Sequence, residues 1–233
     1  MTSQETIILS LGGSLIVPNE IDVGFLTAFN TFIRTQIAEK NRRFFIVCGG
    51  GATARKYING ARDVIGETIT SDDKDWLGIH ATRLNAHLMR TIFRDLANPT
   101  IIEHYDTPYD LDAHPVIVCS GWKPGWSTDY DAVMIAEQYG GKTIVNLSNI
   151  DQVFDKDPRV FPDAKPLKNM TWDFFKTLVG DTWTSGMNTP FDPIASKKAA
   201  GLGLHVYIVN GKNIANLEAA IDGKVFTGSK ITP

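Results

Sequence analysis

Short, continuously apolar runs alternate along this chain with longer stretches in which apolar residues recur every three or four positions. The runs predict strands near residues 6–11, 43–48, 100–103, 115–119, 143–147 and 204–209, and a last short pair around 224–232 containing the Gly228 turn. The helical spacing predicts helices near 20–40, 52–64, 74–97, 129–139, 171–179, 192–201 and 212–221. Most strand runs are apolar at every position rather than at alternate ones. That is the requirement of a sheet covered on both faces, so the pattern predicts an α/β fold with a largely parallel sheet. Helix starts are marked by Thr128-Asp129, by Thr171 with Trp172, Phe175 and Leu178 on one face, and by Asp192-Pro193. Proline and charge over 155–168 predict a surface loop.

Composition narrows the function classes. A chain of 233 residues, 43% hydrophobic and 21% charged, can bury a full core as one large domain or two closely joined lobes. With a formal net charge of −3 and no long run of like charge, it lacks the electrostatic footprint of a protein for nucleic acid or an anionic membrane. Any phosphate it binds must meet local donors. The opening MTSQET lacks the basic start and apolar core of a signal peptide, and the apolar stretches are strand-sized, so the cytoplasm is expected. Cys48 and Cys119 each end a strand run and are expected to be free, buried thiols. His80 and His87 share one helix without a third ligand at matching spacing, so no metal site is expected from protein side chains. Trp172, Phe174, Phe175 and Trp183 are expected in the core or at a subunit contact.

The chemistry sits in three glycine-bearing turns, each after an apolar run. They are Gly12-Gly13-Ser14, Gly49-Gly50-Gly51, and Gly121-Trp122-Lys123-Pro124-Gly125 followed by Trp126-Ser127-Thr128. Glycine lets backbone N–H groups approach phosphate oxygens closely. The second turn runs straight into a helix, whose N-terminus favours an anion, and Arg55 lies one turn inside it. The third adds hydroxyls, a lysine and two indoles, a set that suits a phosphate and a base. Downstream, a strand ends in Ser148-Asn149, with Asp151, Phe154 and Asp157 in the following loop; carboxylates there can orient a magnesium-bound triphosphate, and a phenyl ring can stack on a base. Three such turns suit a protein that holds two phosphorylated molecules and moves a phosphoryl group between them.

In sequence, ILSLGGSLI, IVCGGGATARKY, DWLGIHATRLNA, GWKPGWSTDYDAV, SNIDQVFDKDP and FDPIASKKA resemble the amino acid kinase superfamily, and within it the archaeal-type uridylate (UMP) kinases. The resemblance implies a three-layer αβα sandwich over residues 1–233. An N-terminal lobe of about 1–140 would hold the phosphoryl acceptor and a C-terminal lobe of about 141–233 would hold ATP, in a homo-oligomer, usually a hexamer. The implied reaction converts ATP and UMP to ADP and UDP, with Mg²⁺ bound alongside ATP. By the same resemblance Gly13, Ser14, Gly51 and Arg55 would meet the ATP phosphates, and Ser148, Asn149, Phe154 and Asp157 would grip the ATP nucleoside. Gly50, Asp75, Trp122, Lys123, Pro124, Gly125, Trp126, Ser127 and Thr128 would bind UMP, Asp75 reading the ribose. Arg55 would stabilise the migrating charge, with Lys123, Lys197 or Lys198 as a further cation, and Asp151 would orient the metal or a cation.

The chain departs from the superfamily pattern where a lysine often precedes the first glycine by two residues: that position is Ser10, and by the same resemblance the archaeal branch also lacks the lysine. Gln152 and Phe154 replace the usual glycine and tyrosine of the downstream turn, and the third turn carries Trp122 and Trp126 in place of threonine and histidine. Two competing readings remain at this point, a kinase of the same fold with another small acceptor, and a nucleotide- or oxyanion-binding protein without catalysis.

Overall fold

In the computed structural model, residues 4–109, 111, 114–182 and 189–233 are described. The elements run β1 (Glu5–Leu11), α1 (Gly13–Ile16), α2 (Val23–Lys40), β2 (Arg42–Cys48), α3 (Gly51–Ile65), α4 (Ser71–Ile92), β3 (Val116–Cys119), α5 (Thr128–Tyr139) and β4 (Thr143–Ser148). They continue with β5 (Val153–Phe154), β6 (Pro166–Leu167), β7 (Asn169–Thr171), α6 (Trp172–Val179), α7 (Pro193–Gly201), β8 (His205–Asn210), α8 (Ile214–Ile221) and β9 (Ser229–Thr232).

Seven strands form one sheet in the order β3-β2-β1-β4-β8-β9-β7. All neighbours are parallel except β8 with β9. The reason the strand runs are continuously apolar is visible residue by residue. Leu9, Phe44, Ile46, Val118 and Val145 face a core closed by α2, α4 and α8. Ile8, Phe45, Val47, Ile117 and Ile144 face a second core closed by α5, α6 and α7. Helices on both faces of a mostly parallel sheet make the three-layer αβα sandwich that was expected.

Several boundaries move for local reasons. The helix expected from 74 begins at Ser71, because Thr70 and Asp73 form a reciprocal capping box. The helix expected at Thr128-Asp129 is capped one residue earlier, by Ser127 Oγ accepting from Tyr130 N at 3.1 Å. Asp192 caps α7 ahead of Pro193 as expected, accepting from Ala195 N at 2.8 Å. The strand expected at 100–103 is absent. Asn98 Oδ1 accepts from Thr100 N in a turn around Pro99, so this segment meets β3 only through isolated bridges, Ala97 with Val116 and Ile102 with Cys119. The pair expected at 224–232 is the single strand β9, and 155–168 is pinned at both ends by the small β5–β6 ladder. Trp172 and Phe175 are buried and Phe174 is exposed; Trp183 lies outside the described residues. Cys48 and Cys119 are buried free thiols, and burial pushes both thiol pKa values up. Among the described residues no helix is long and apolar enough to cross a membrane.

Candidate functional site

Because its neighbours run parallel, the sheet brings the ends of β1, β2, β3, β4 and β8 to one edge. The chain leaves β1 for β2 on one side, while β4 pairs on the other. This is a switch point of a doubly wound sheet, where such folds open a crevice. The turns after β1 and β2 interlock there. A Cβ on Gly13 would fall on the backbone of Gly49 and on Gly51 N, and one on Gly51, whose φ is +62°, on the carbonyl of Gly13. Glycine is therefore demanded at Gly13 and Gly51 by backbone meeting backbone, before any ligand is considered. Gly12 N donates to Leu147 O at 2.9 Å and Gly49 N to Leu11 O at 2.9 Å, which ties both turns to the strand ends.

Around these turns lies a cleft of about 610 Å³. It brings together Gly13, Ser14, Gly50, Gly51, Arg55, Asp75, Trp126, Ser127 and Thr128. Gly121 of the third turn lines it too, whereas Trp122, Lys123, Pro124 and Gly125 lie outside its lining. Lys123 folds back with Nζ 3.9 Å from the Trp122 ring centroid and 4.7 Å from that of Trp126, a cation–π arrangement that points the charge at the indoles. Gly125, at φ +82°, donates its N–H to Asp75 Oδ2 at 2.8 Å, and Pro124 sits beside it in the same bend. Trp122 packs edge-on against Trp126, which in turn meets Tyr130, so the indole at the cleft is held by an aromatic row.

Ser148, Asn149, Asp151, Phe154 and Asp157 lie outside this cleft: Ser148 ends β4 and Asn149 and Asp151 follow it, with Asp151 tied to Asn210 at the end of β8, Phe154 is on β5, and Asp157 is in the loop between β5 and β6. Asp151 Oδ1 accepts from Asn210 Nδ2 at 2.8 Å, and Asp157 pairs with Arg159 at 2.8 Å, which lowers its carboxyl pKa. Phe154 is half-buried on the short β5 strand and Asn149 is exposed. Of the other cations considered, Lys198 pairs with Glu137 at 2.7 Å.

Sequence reasoning passed over four residues of this site. Arg62 and Lys74 line the cleft with Arg55 and supply positive charge in a chain whose net charge is negative. Asp129 and Asp192 line it too. Ser10 Oγ donates to Asp129 Oδ1 at 3.2 Å, Asn146 Nδ2 donates to the same oxygen at 3.3 Å, and Asp192 N donates to Oδ2 at 3.1 Å. Burial, reinforced by the nearby Asp192 carboxylate, pushes Asp129 up to about 7 despite these bonds. At Ser10 this carboxyl meets a hydroxyl rather than a cation. The only sequence signal for Asp129 was its place at a helix start. Among the described residues no group of three histidine, cysteine or acidic side chains is arranged to hold a metal.

Residues 5–210 match the model of the amino acid kinase family. The chain belongs to that family. Curated full-length relatives include the uridylate kinase of Methanospirillum hungatei, 34% identical over 229 residues that cover 97% of this chain and 94% of the relative. That of Thermococcus onnurineus is 31% identical, covering 97% and 99%. The crystal structure of uridylate kinase from Archaeoglobus fulgidus superposes with a TM-score of 0.81 at 27% identity, covering 98% of this kinase-family chain and all of that one. The Bacillus anthracis UMP kinase structure, at 18% identity and a TM-score of 0.77, shares the fold.

Proposed function

We propose that this protein is a uridylate kinase, moving the γ-phosphoryl group of ATP to UMP and so supplying UDP to pyrimidine nucleotide synthesis. The observation that carries the reading is the convergence of the three glycine turns on one cleft at the switch point of the sheet, with Arg55, Arg62 and Lys74 around it. The full-length uridylate kinase relatives support UMP as the acceptor.

Phosphoryl transfer asks a protein for in-line placement and charge stabilisation rather than covalent chemistry. In this reading the interlocked first and second turns form the floor on which donor and acceptor phosphates meet, and the third turn with Asp75 closes over UMP. The acceptor lies on residues of about 1–140. ATP lies toward residues 141–233, its nucleoside between Ser148 and Asn149 at the end of β4 and Phe154 and Asp157 on and after β5. Arg55 reaches the migrating charge, and Lys74 and Arg62 take the place proposed above for Lys123, whose ammonium is held by the indoles. Asp151 orients charge at the nucleoside side through Asn210. Magnesium would be carried on the ATP phosphates, with Asp129 and Asp192 among the carboxylates of the cleft that could hold it. When bound, it offsets phosphate charge. The exposed Tyr57, Val64 and Ile65 of α3 offer apolar surface for the homo-oligomer, a hexamer by family resemblance, and the cytoplasm is its proposed compartment.

A coupled ADP-release assay over a panel of nucleoside monophosphates and small acids tests the reading. UMP is expected to be turned over in preference to the rest. Preference for a different acceptor would overturn the substrate, and ATP binding without turnover of any acceptor would overturn the activity.

A further inference from the structure

The second glycine turn is held from below by one buried side chain of α4. Asn85, 3% exposed, donates from Nδ2 to Gly49 O at 2.7 Å and to Gly50 O at 3.2 Å. Each of these carbonyls shares a planar, trans peptide unit with the next residue's N–H, so the two point in opposite directions. Anchoring Gly49 O and Gly50 O therefore also sets the directions of the Gly50 and Gly51 N–H groups, which lie on the side away from Asn85. The flanking amides are used inside the protein, Gly49 N on Leu11 O and Ala52 N on Val17 O. Gly50 and Gly51, between them, line the cleft. We infer that Asn85 is a positioning residue that aims the Gly50 and Gly51 amides at a bound phosphoryl group.

The same helix grips the third turn. Thr82 Oγ1 accepts from Gly121 N at 2.8 Å while donating to Ile79 O, and Asp75 accepts from Gly125 N. Close packing reinforces the hold on the second turn, since a Cβ on Gly50 would meet Ala81 Cβ at 3.4 Å and Gly78 O at 3.3 Å. One rigid element thus sets the second and third turns relative to each other. No other side chain is hydrogen-bonded to either carbonyl among the described residues, which is why the inference settles on Asn85.

The kinetic arm rests on the kinase reading; the spectroscopic arm does not. Inorganic phosphate titrated into the ¹⁵N-labelled protein is expected to shift the Gly50 and Gly51 amide resonances in the wild type and to lose most of that effect in Asn85→Ala. In turnover, Asn85→Ala is expected to lower kcat/KM about tenfold or more, the scale of a misplaced reacting group. Asn85→Asp supplies the readout that a purely structural role would not move. Its carboxyl donates to a turn carbonyl only while protonated, so its activity relative to wild type is expected to recover as pH falls. Equal phosphate response in wild type and Asn85→Ala, no response in the wild type, or an Asn85→Asp pH profile parallel to wild type would each overturn the positioning role. A wild type that answers phosphate yet does not turn over UMP would overturn the substrate reading and leave the spectroscopic comparison to decide Asn85.

Discussion

At the scale of single residues, the two aspartates at the start of α5 carry the strongest electrostatic signal in the molecule. Asp129 faces the cleft and is pushed up to about 7 by burial and by Asp192. Asp131, two residues on, is fully buried, neither oxygen has a hydrogen-bond partner among the described residues, and burial with the nearby Asp129 raises its pKa well above its ordinary value. An acid whose folded pKa exceeds its unfolded value binds more protons in the native state. It therefore costs stability as pH rises from the unfolded pKa, and that cost is complete above the folded one. For Asp129 the window runs from 3.8 to about 7; Asp131 acts with the same sign. Urea melts from pH 4 to 9 are expected to show wild-type stability falling across the first window, and Asp129→Asn to remove part of that slope. The removed part is a few kcal/mol at most, since a tenfold change in proton affinity is worth about 1.4 kcal/mol and the window runs from 3.8 to about 7. A variant profile parallel to wild type would refute this account. Neither carboxyl was legible as unusual in the sequence, where TDYDAV reads as acids favouring a helix start; only the packing of α5 against β1 and β2 reveals their burial.

The elements were legible to the extent that their signals are local. Five of the strands in the main sheet and all seven longer helices lie close to the positions that periodicity predicts, because a strand covered on both faces leaves a continuous apolar run. What failed was non-local. The run at 100–103 has a strand's composition, yet the Asn98 turn breaks its alignment with β3, and two- or three-residue strands such as β5, β6 and β7 leave no period to read. The glycine turns were found but only half explained, since their mutual contact depends on β1 and β2 being neighbours. That contact has a measurable consequence. Gly13→Ala is expected to cost about 1–3 kcal/mol by forcing the interlocked backbones apart. Gly60→Ala, in mid-helix on α3 with open space around it, is expected to add about 0.5–1 kcal/mol. Denaturant midpoints for both would check this, and a Gly13→Ala protein as stable as wild type would show that the turns are not interlocked in solution.

For the whole molecule, the topology separates two sets of residues that the chain order only listed in sequence. The cleft takes its walls from the turns after β1, β2 and β3 and from α3 and α4, while Ser148 and Asp151 lie at the ends of β4 and β8 and Asp157 in the loop between β5 and β6. If the first set holds UMP, a substitution among the second should leave UMP binding alone. A ligand that binds only the native state stabilises it by about 2.7 kcal/mol at a concentration one hundred times its Kd. In a chain of this length that corresponds to a rise in Tm of about 5–10 °C. UMP is expected to produce such a shift in wild type and in Asp157→Ala, whose side-chain partner among the described residues is the exposed Arg159. Asp75→Ala should lose most of it, because that carboxylate both faces the cleft and holds Gly125 of the third turn. A UMP shift lost in Asp157→Ala but kept in Asp75→Ala would invert the assignment and put the acceptor on the other side of the switch point.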